Sequence, residues 1–144
     1  MNEGIAAVAD ALAADLAALD LGQPATVSRA FFPYRDREDL GALTVTVMPR
    51  GQERTVAARG GLSQVDHLID VGIQRRIDGT DEASLAATVA AVEQVAHWLA
   101  GRRPSATPDW TCVEARADPL VAEDHALNLR IFTGVVQARL RSHA

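Results

Sequence analysis

Residues 62–77 read LSQVDHLIDVGIQRRI, and their alternation decides the fold class. Val65, His67, Ile69, Val71 and Ile73 fall on one side of an extended chain. Gln64, Asp66, Asp70, Gln74 and Arg76 fall on the other, where Leu68 is the only large apolar residue. A period of two over this length specifies a strand with one buried face. At about 3.3 Å per residue the stretch spans roughly 50 Å, well beyond the usual five or six residues. Such a strand bends, or runs past its own domain to meet another surface.

Upstream, residues 42–49 (ALTVTVMP) read as a strand with Leu43, Val45 and Val47 inward. Residues 25–32 read as another, with Val27, Arg29 and Phe31 opposite Thr26, Ser28, Ala30 and Phe32, and Pro33 ending its ladder. Between these two lies the charged segment Tyr34 to Gly41. It is either a solvated connection or, with Phe31, Phe32 and Tyr34 beside its arginines, a contact surface. Residues 50–61 are polar and end in Gly60-Gly61, which predicts a flexible hairpin arm holding at most a short strand near 55–58.

Two helices flank this sheet. Ile5, Val8, Leu12, Leu16 and Leu19 form one stripe over residues 3–20, with Gly22 as a left-handed cap and Pro24 preventing resumption. Leu85, Val89, Val92, Ala96 and Leu99, widened by Val95 and Trp98, form a second stripe over 81–101. Thr80 is its expected N-cap, Asp81-Glu82 suit the positive end of its dipole, and Gly101 with Arg102-Arg103 closes it. Residues 110–117 read as a strand broken by Asp118-Pro119, and 120–126 as a helical turn. Residues 127–141 read as a long strand carrying Phe132, Gly134, Val136, Ala138 and Leu140 on one face. Gly72 and Gly134, inside the two longest strands, predict a bulge or a close backbone approach. The whole is an α+β single domain spanning 1–144: a mostly antiparallel sheet with two long strands and helices packed on it.

The totals narrow the class. A chain of 144 residues with 48% hydrophobic residues buries a real core in one domain. No apolar run reaches the roughly 20 residues of a membrane span. The first segment carries Glu3, Asp10, Asp15 and Asp20 without a basic start, which reads as an amphipathic helix and not a signal peptide. Cys112 is the only cysteine, so no internal disulfide forms and a reducing compartment is expected. All 14 basic residues are arginine, and the formal charge of −5 argues against a protein built to grip a phosphate backbone.

Chemistry finds little foothold. The phosphate-loop, dinucleotide, nucleophile-elbow, zinc-protease and paired-cysteine motifs are all missing from the sequence. His67 stands on an apolar strand face, where a hydrogen-bonded core-edge histidine is the simpler reading, and His97 lies at a helix margin. His125 and Cys112 pair only on paper, since nothing places them within the reach that nucleophile activation requires. Asp66 and Asp70, four residues apart on a strand, stand roughly 13 Å from each other, too far for a paired acid and base. A solvated face or a polar channel lining suits them better. No enzymatic activity, cofactor or metal is expected.

Residues 25–141 nevertheless resemble a known family. VSRAFFPYRDREDLGALTVTVMPRG, an arm ending in Arg59, SQVDHLIDVGIQRRI, a helix, and DWTCVEARADPLVAEDHALNLRIFTGVVQARL are together similar to the tail-terminator or tail-completion (neck) proteins of long-tailed phages and prophages. The resemblance implies a structural virion subunit of the tail neck, assembled in the bacterial cytoplasm. It implies a hexameric ring that caps the tail tube, stops its polymerisation and meets the head-side connector. DNA would pass through the channel without sequence-specific binding, and no membrane is involved. No catalytic residue defines the family. Candidate contact residues are Phe32, Tyr34, Arg35, Asp36, Arg37, Glu38, Asp39, Arg50, Arg54, Arg59, Asp66, Asp70, Arg75 and Arg76. Asp66, Asp70 and the acidic loop 36–39 are the candidates for an acidic lumen, and the arm 50–61 for reaching a neighbour. The alternatives are another neck component, such as a head-completion protein, and a monomeric α+β binding module.

Overall fold

The strand opened by Ser63 lies in the middle of the sheet and is buried on both faces from Val65 to Gln74 apart from Asp70, where its alternation predicts one buried face. The computed structural model describes residues 3–33, 40–56, 63–78 and 82–142. In chain order these form α1 (Ile5–Ala17), β1 (Ala25–Arg29), β2 (Leu43–Val56), β3 (Ser63–Arg76), α2 (Glu82–Leu99), β4 (Trp110–Ala117), a π-helical turn (His125–Leu129) and β5 (Ile131–Ser142). The sheet runs β1-β2-β3-β5-β4. Its β2–β3, β3–β5 and β5–β4 pairs are antiparallel. The short β1 adds to β2 in parallel, Ala25 beside Leu43 and Arg29 beside Val47.

One face of this sheet holds the main core. Ile69, Val71 and Ile73 of β3 stand beside Ala138, Val136 and Gly134 of β5, and α1 and α2 cover them. Val8, Leu12 and Leu16 of α1 are fully buried, so the expected stripe faces inward. Burying each of them stabilises the fold by about 1.5–3 kcal/mol. The helix is shorter than residues 3–20, ending at Ala17 with Ala18 as its cap. Gly22 does take a positive φ of 77°, but in the turn that follows. On α2 the buried line is Thr88, Ala91, Val92, Val95 and Leu99. Leu85 and Val89 sit at its margin, a rotation of the face that leaves them beside a groove. Arg102 closes the helix by donating to the Trp98 carbonyl at 3.1 Å and stacking over its ring. Thr80 and Asp81, expected to open the helix, lie outside the described residues, as do Gly60 and Gly61.

Three elements differ from the sequence reading. Pro49 does not end its strand; β2 continues to Val56 and pairs with β3 as far as Ser63, so no separate polar arm starts at Arg50. The β1 ladder is what stops there: Arg29 pairs with Val47, Ala30 N donates to the Val47 carbonyl, and among the described residues β2 has no partner strand on that side beyond. A proline lacking an amide proton suits an edge, and from Pro49 onward β2 is one. Secondly, β1 ends at Arg29 instead of Phe32, leaving Phe31 and Phe32 exposed. Thirdly, residues 127–130 are not strand. The chain turns through His125–Leu129 and Arg130 takes a left-handed φ of 54° before β5 begins.

Two bulges complete the sheet. Arg50 is an extra residue between the pairs Pro49–Ile69 and Gly51–Leu68, and Val113 one between Cys112–Leu140 and Glu114–Arg139. Gly134 marks a close approach of the expected kind: a Cβ there would stand 2.6 Å from the Leu120 carbonyl oxygen and 2.8 Å from Val92 Cγ2.

Candidate functional site

The sheet face away from the main core is charged, and Arg139 is its centre. Its Nη1 donates to Glu53 of β2 at 2.6 Å and to Asp66 of β3 at 2.9 Å, while its Nε lies 3.6 Å from Glu114 of β4. Arg141 adds two donors to Asp66, at 2.9 and 3.1 Å. One network thus ties four strands together. Both bulges serve it: by leaving Arg50 and Val113 unpaired they hold Glu53 and Glu114 on this face, where an unbroken ladder would turn both acids toward the core. Asp66 is 4% exposed. The hydrogen bonds from Arg141 hold its carboxyl below the usual range; burial opposes them and Arg139 reinforces them. The acids, Glu53 first and then Asp66, hold the Arg139 guanidinium charged.

The sequence candidates are distributed around this face. Asp70 accepts from Arg50 at 2.8 Å, Arg76 donates to Asp78 at 3.1 Å, and Arg75 donates to Gln23 at 2.7 Å. Arg54 is exposed on the hairpin and Phe32 is 77% exposed. Tyr34, Arg35, Asp36, Arg37, Glu38, Asp39 and Arg59 lie outside the described residues. Asp66 and Asp70 differ from the solvated face expected of them: both carboxylates are held by arginines, and Asp66 is buried. Arg139, Arg141, Glu53 and Glu114 escaped the sequence reading because they reach Asp66 and one another across long chain separations. The available signal was the alternation of Gln137, Arg139 and Arg141, which presents arginines on the face β3 makes acidic.

His67 is a satisfied core-edge histidine, as its position predicts. Its ring stacks on Trp110 with centroids 4.0 Å apart and 17° between planes, and it is 2% exposed. Gln52 Nε2 donates to Nδ1 at 3.2 Å, which leaves the proton on Nε2 to donate to the Glu3 carbonyl at 3.1 Å. Burial pulls its pKa below the ordinary value. Glu3 is held a second time, its carboxylate accepting from the Trp110 indole at 2.9 Å. Cys112 and His125 are engaged separately, by the Glu114 carbonyl and Thr133 Oγ1. Burial pushes the Cys112 thiol up to about 11, away from the thiolate a nucleophile needs. Among the described residues, no three His, Cys, Asp or Glu side chains group as metal ligands. No described helix is long and apolar enough to cross a membrane.

Exposed apolar surface gathers in two places. Phe31 and Phe32 project beyond β1, 61% and 77% exposed, with Arg29 stacked 4.8 Å from the Phe31 ring and paired to Asp10. Leu120, Val121, Leu127 and Leu129 are exposed around the π-helical turn. There Val121, Ala126 and Leu127 face Ile77, Leu85, Val89 and Phe132 across a groove of about 360 Å³, with Glu82 and Arg130 also in its lining. No protein-family model matches this chain, and no curated protein matches it significantly.

Proposed function

We propose that this chain is a structural subunit of a phage-type neck: a tail terminator that assembles as a ring on the tail tube and meets the head-side connector. The observation that carries this reading is the β2–β3 hairpin, which outruns the sheet on one side. Beyond the Arg29–Val47 pair, β2 continues to Val56 with Gln52–Val56 exposed and no described strand along its outer edge. An open edge of that length is a template for a strand of another chain. Its charges, Arg50, Glu53 and Arg54, keep it from pairing indiscriminately. The pattern resemblance over residues 25–141 gives the kind of assembly.

Passage of DNA fits the acidic balance of −5, which disfavours a grip on phosphate. Asp66 and Asp70 are neutralised by arginines, so an acidic lumen in this reading draws on other carboxylates. No catalytic step is assigned. The test is mass by light scattering, alone and after mixing with purified tail-tube protein. A ring-sized species, or one that forms only with the tube protein, supports the reading. A monomer indifferent to the tube protein at high concentration overturns it.

A further inference from the structure

We infer that Phe31 and Phe32 form a knob that enters the groove beside the π-helical turn of a second copy of this chain. The inference rests on reading the chain as an assembling subunit, and names the contact that would join one copy to the next. Of the eight exposed large apolar residues described, Phe31 and Phe32 make one cluster and Leu120, Val121, Leu127 and Leu129 another. Surface apolar groups concentrated in two patches mark contact sites, whereas scattered single ones do not. The two patches are opposite in shape: two projecting rings, and a groove of about 360 Å³ floored by Ile77, Val89 and Phe132.

The backbone beside the groove carries a second sign. Arg130 is the only described non-glycine residue with positive φ, and a π-helical turn precedes it. Both features are uncommon and concentrate at functional sites. Charge does not oppose the contact: Arg29 and Asp10 beside the knob pair with each other at 2.8 Å, and the groove lining holds both Glu82 and Arg130.

A chain cannot fill its own groove. Phe31 lies past Arg29, level with or beyond Val47, at the β1 edge; the groove lies past Arg76 and before Ile131, at the other end of β3 and β5. That separation is on the order of 25 Å along the strands and three strand spacings across. The contact therefore joins different patches on two copies, and such head-to-tail contacts close into rings or run on as filaments. The area bounds its strength. At 61% and 77% exposure the two aromatic side chains have roughly 200–350 Å² of their own surface left to bury, and with the groove walls about twice that. This falls short of the ~1,200 Å² of a stable interface, so the knob acts together with the open β2 edge.

The experiment is complementation of two surface variants in sedimentation velocity. Phe31→Ala with Phe32→Ala removes the knob and leaves the groove; Leu127→Glu blocks the groove and leaves the knob. Leu127 is 67% exposed, so both proteins are expected to melt within a few degrees of wild type, which circular dichroism checks. Wild type should self-associate with rising concentration, each variant should be shifted at least tenfold toward monomer, and their mixture should recover a 1:1 dimer that grows no further. Variants that associate like wild type overturn the inference and leave the ring reading intact. A wild type that is monomeric alone and assembles only with tail-tube protein overturns the inference and leaves the ring reading intact, and one that stays monomeric with tail-tube protein too overturns both. If Leu127→Glu alone abolishes binding to tail-tube protein while the double phenylalanine variant binds it normally, the groove takes the tube protein and the inference fails.

Discussion

Gly134→Ala tests how closely the segment after β4 and helix α2 approach the sheet. The added methyl meets the Leu120 carbonyl oxygen at 2.6 Å, Val92 Cγ2 at 2.8 Å and Phe132 Cε1 at 3.4 Å. The first of these is backbone and cannot rotate away, so residues 118–122 or α2 must shift. Segment 118–122 is itself pinned to β5: Asp118 N donates to the Val135 carbonyl, Val135 N to the Pro119 carbonyl and Ala122 N to the Thr133 carbonyl. Overpacking of this kind costs about 1–3 kcal/mol. Reduced freedom of the unfolded chain returns about 0.4–1 kcal/mol. The net loss is roughly 1–2 kcal/mol, or about 2–8 °C in Tm for a domain of this size. Gly72→Ala is the matched control. Its methyl meets only the flexible end of Met48, at 2.9 Å, and the Thr46 carbonyl at an ordinary 3.9 Å, so stability should change by less than about 0.5 kcal/mol. Urea unfolding followed by tryptophan fluorescence measures both, with an unchanged slope confirming a native-state effect. Equal losses at the two glycines, or a neutral Gly134→Ala, would refute the reasoning.

Three further outcomes are expected. Asp66→Asn should destabilise by about 1–3 kcal/mol at neutral pH, because it weakens charge-assisted bonds from two arginines at a buried site. Since Asp66 has a lowered native pKa, its contribution is full above the unfolded value of about 3.9 and fades as pH falls through the native one; the two proteins should converge in acid melts. His67 also has a lowered native pKa, so unfolding takes up its proton and stability should decline as pH drops below about 6.5. His67→Phe should flatten that decline, and a steeper slope in the variant would contradict the assignment. Cys112, buried and pushed up to about 11, should resist thiol reagents in the native protein at pH 8 and react only as fast as the chain unfolds; rapid native labelling would place it elsewhere.

The parts of the fold legible in the sequence are those fixed by local periodicity. The α1 stripe, the apolar face of β3 and the β5 face from Phe132 to Leu140 bury as read, but β3 is buried on its second face too, at Asp66, Leu68 and Gln74. Misreadings arose where a local signal had a non-local cause. Pro49 ends the pairing of β1, a strand encountered earlier in the chain, and leaves its own strand intact. Leu127 and Leu129 continue the alternation of β5 on paper, but the left-handed turn at Arg130 cuts them off and exposes them. The Asp66 cluster was hidden for a related reason. One strand shows that an aspartate faces away from the apolar side, while the arginines that bind it stand 73 and 75 residues later.

The extra residue at Arg50 acts as a phase shift in the alternation code. Before it, odd-numbered β2 residues such as Val45 and Val47 face the core; after it, the even-numbered ones do, so Gln52 meets His67 and Glu53 meets Arg139. Deleting Arg50 would shorten the hairpin by a single residue and remove the bulge, yet every side chain from Gly51 to Val56 would keep its face and its partner on β3. Losing Gly51 with it would invert them: Glu53 would be driven against the buried imidazole of His67 and the Trp110 indole stacked on it, and Arg54 would be left opposite Asp66. Insertions and deletions in this strand therefore divide by parity: a single residue lost at position 50 preserves which residues point where, whereas a pair lost together inverts the hairpin.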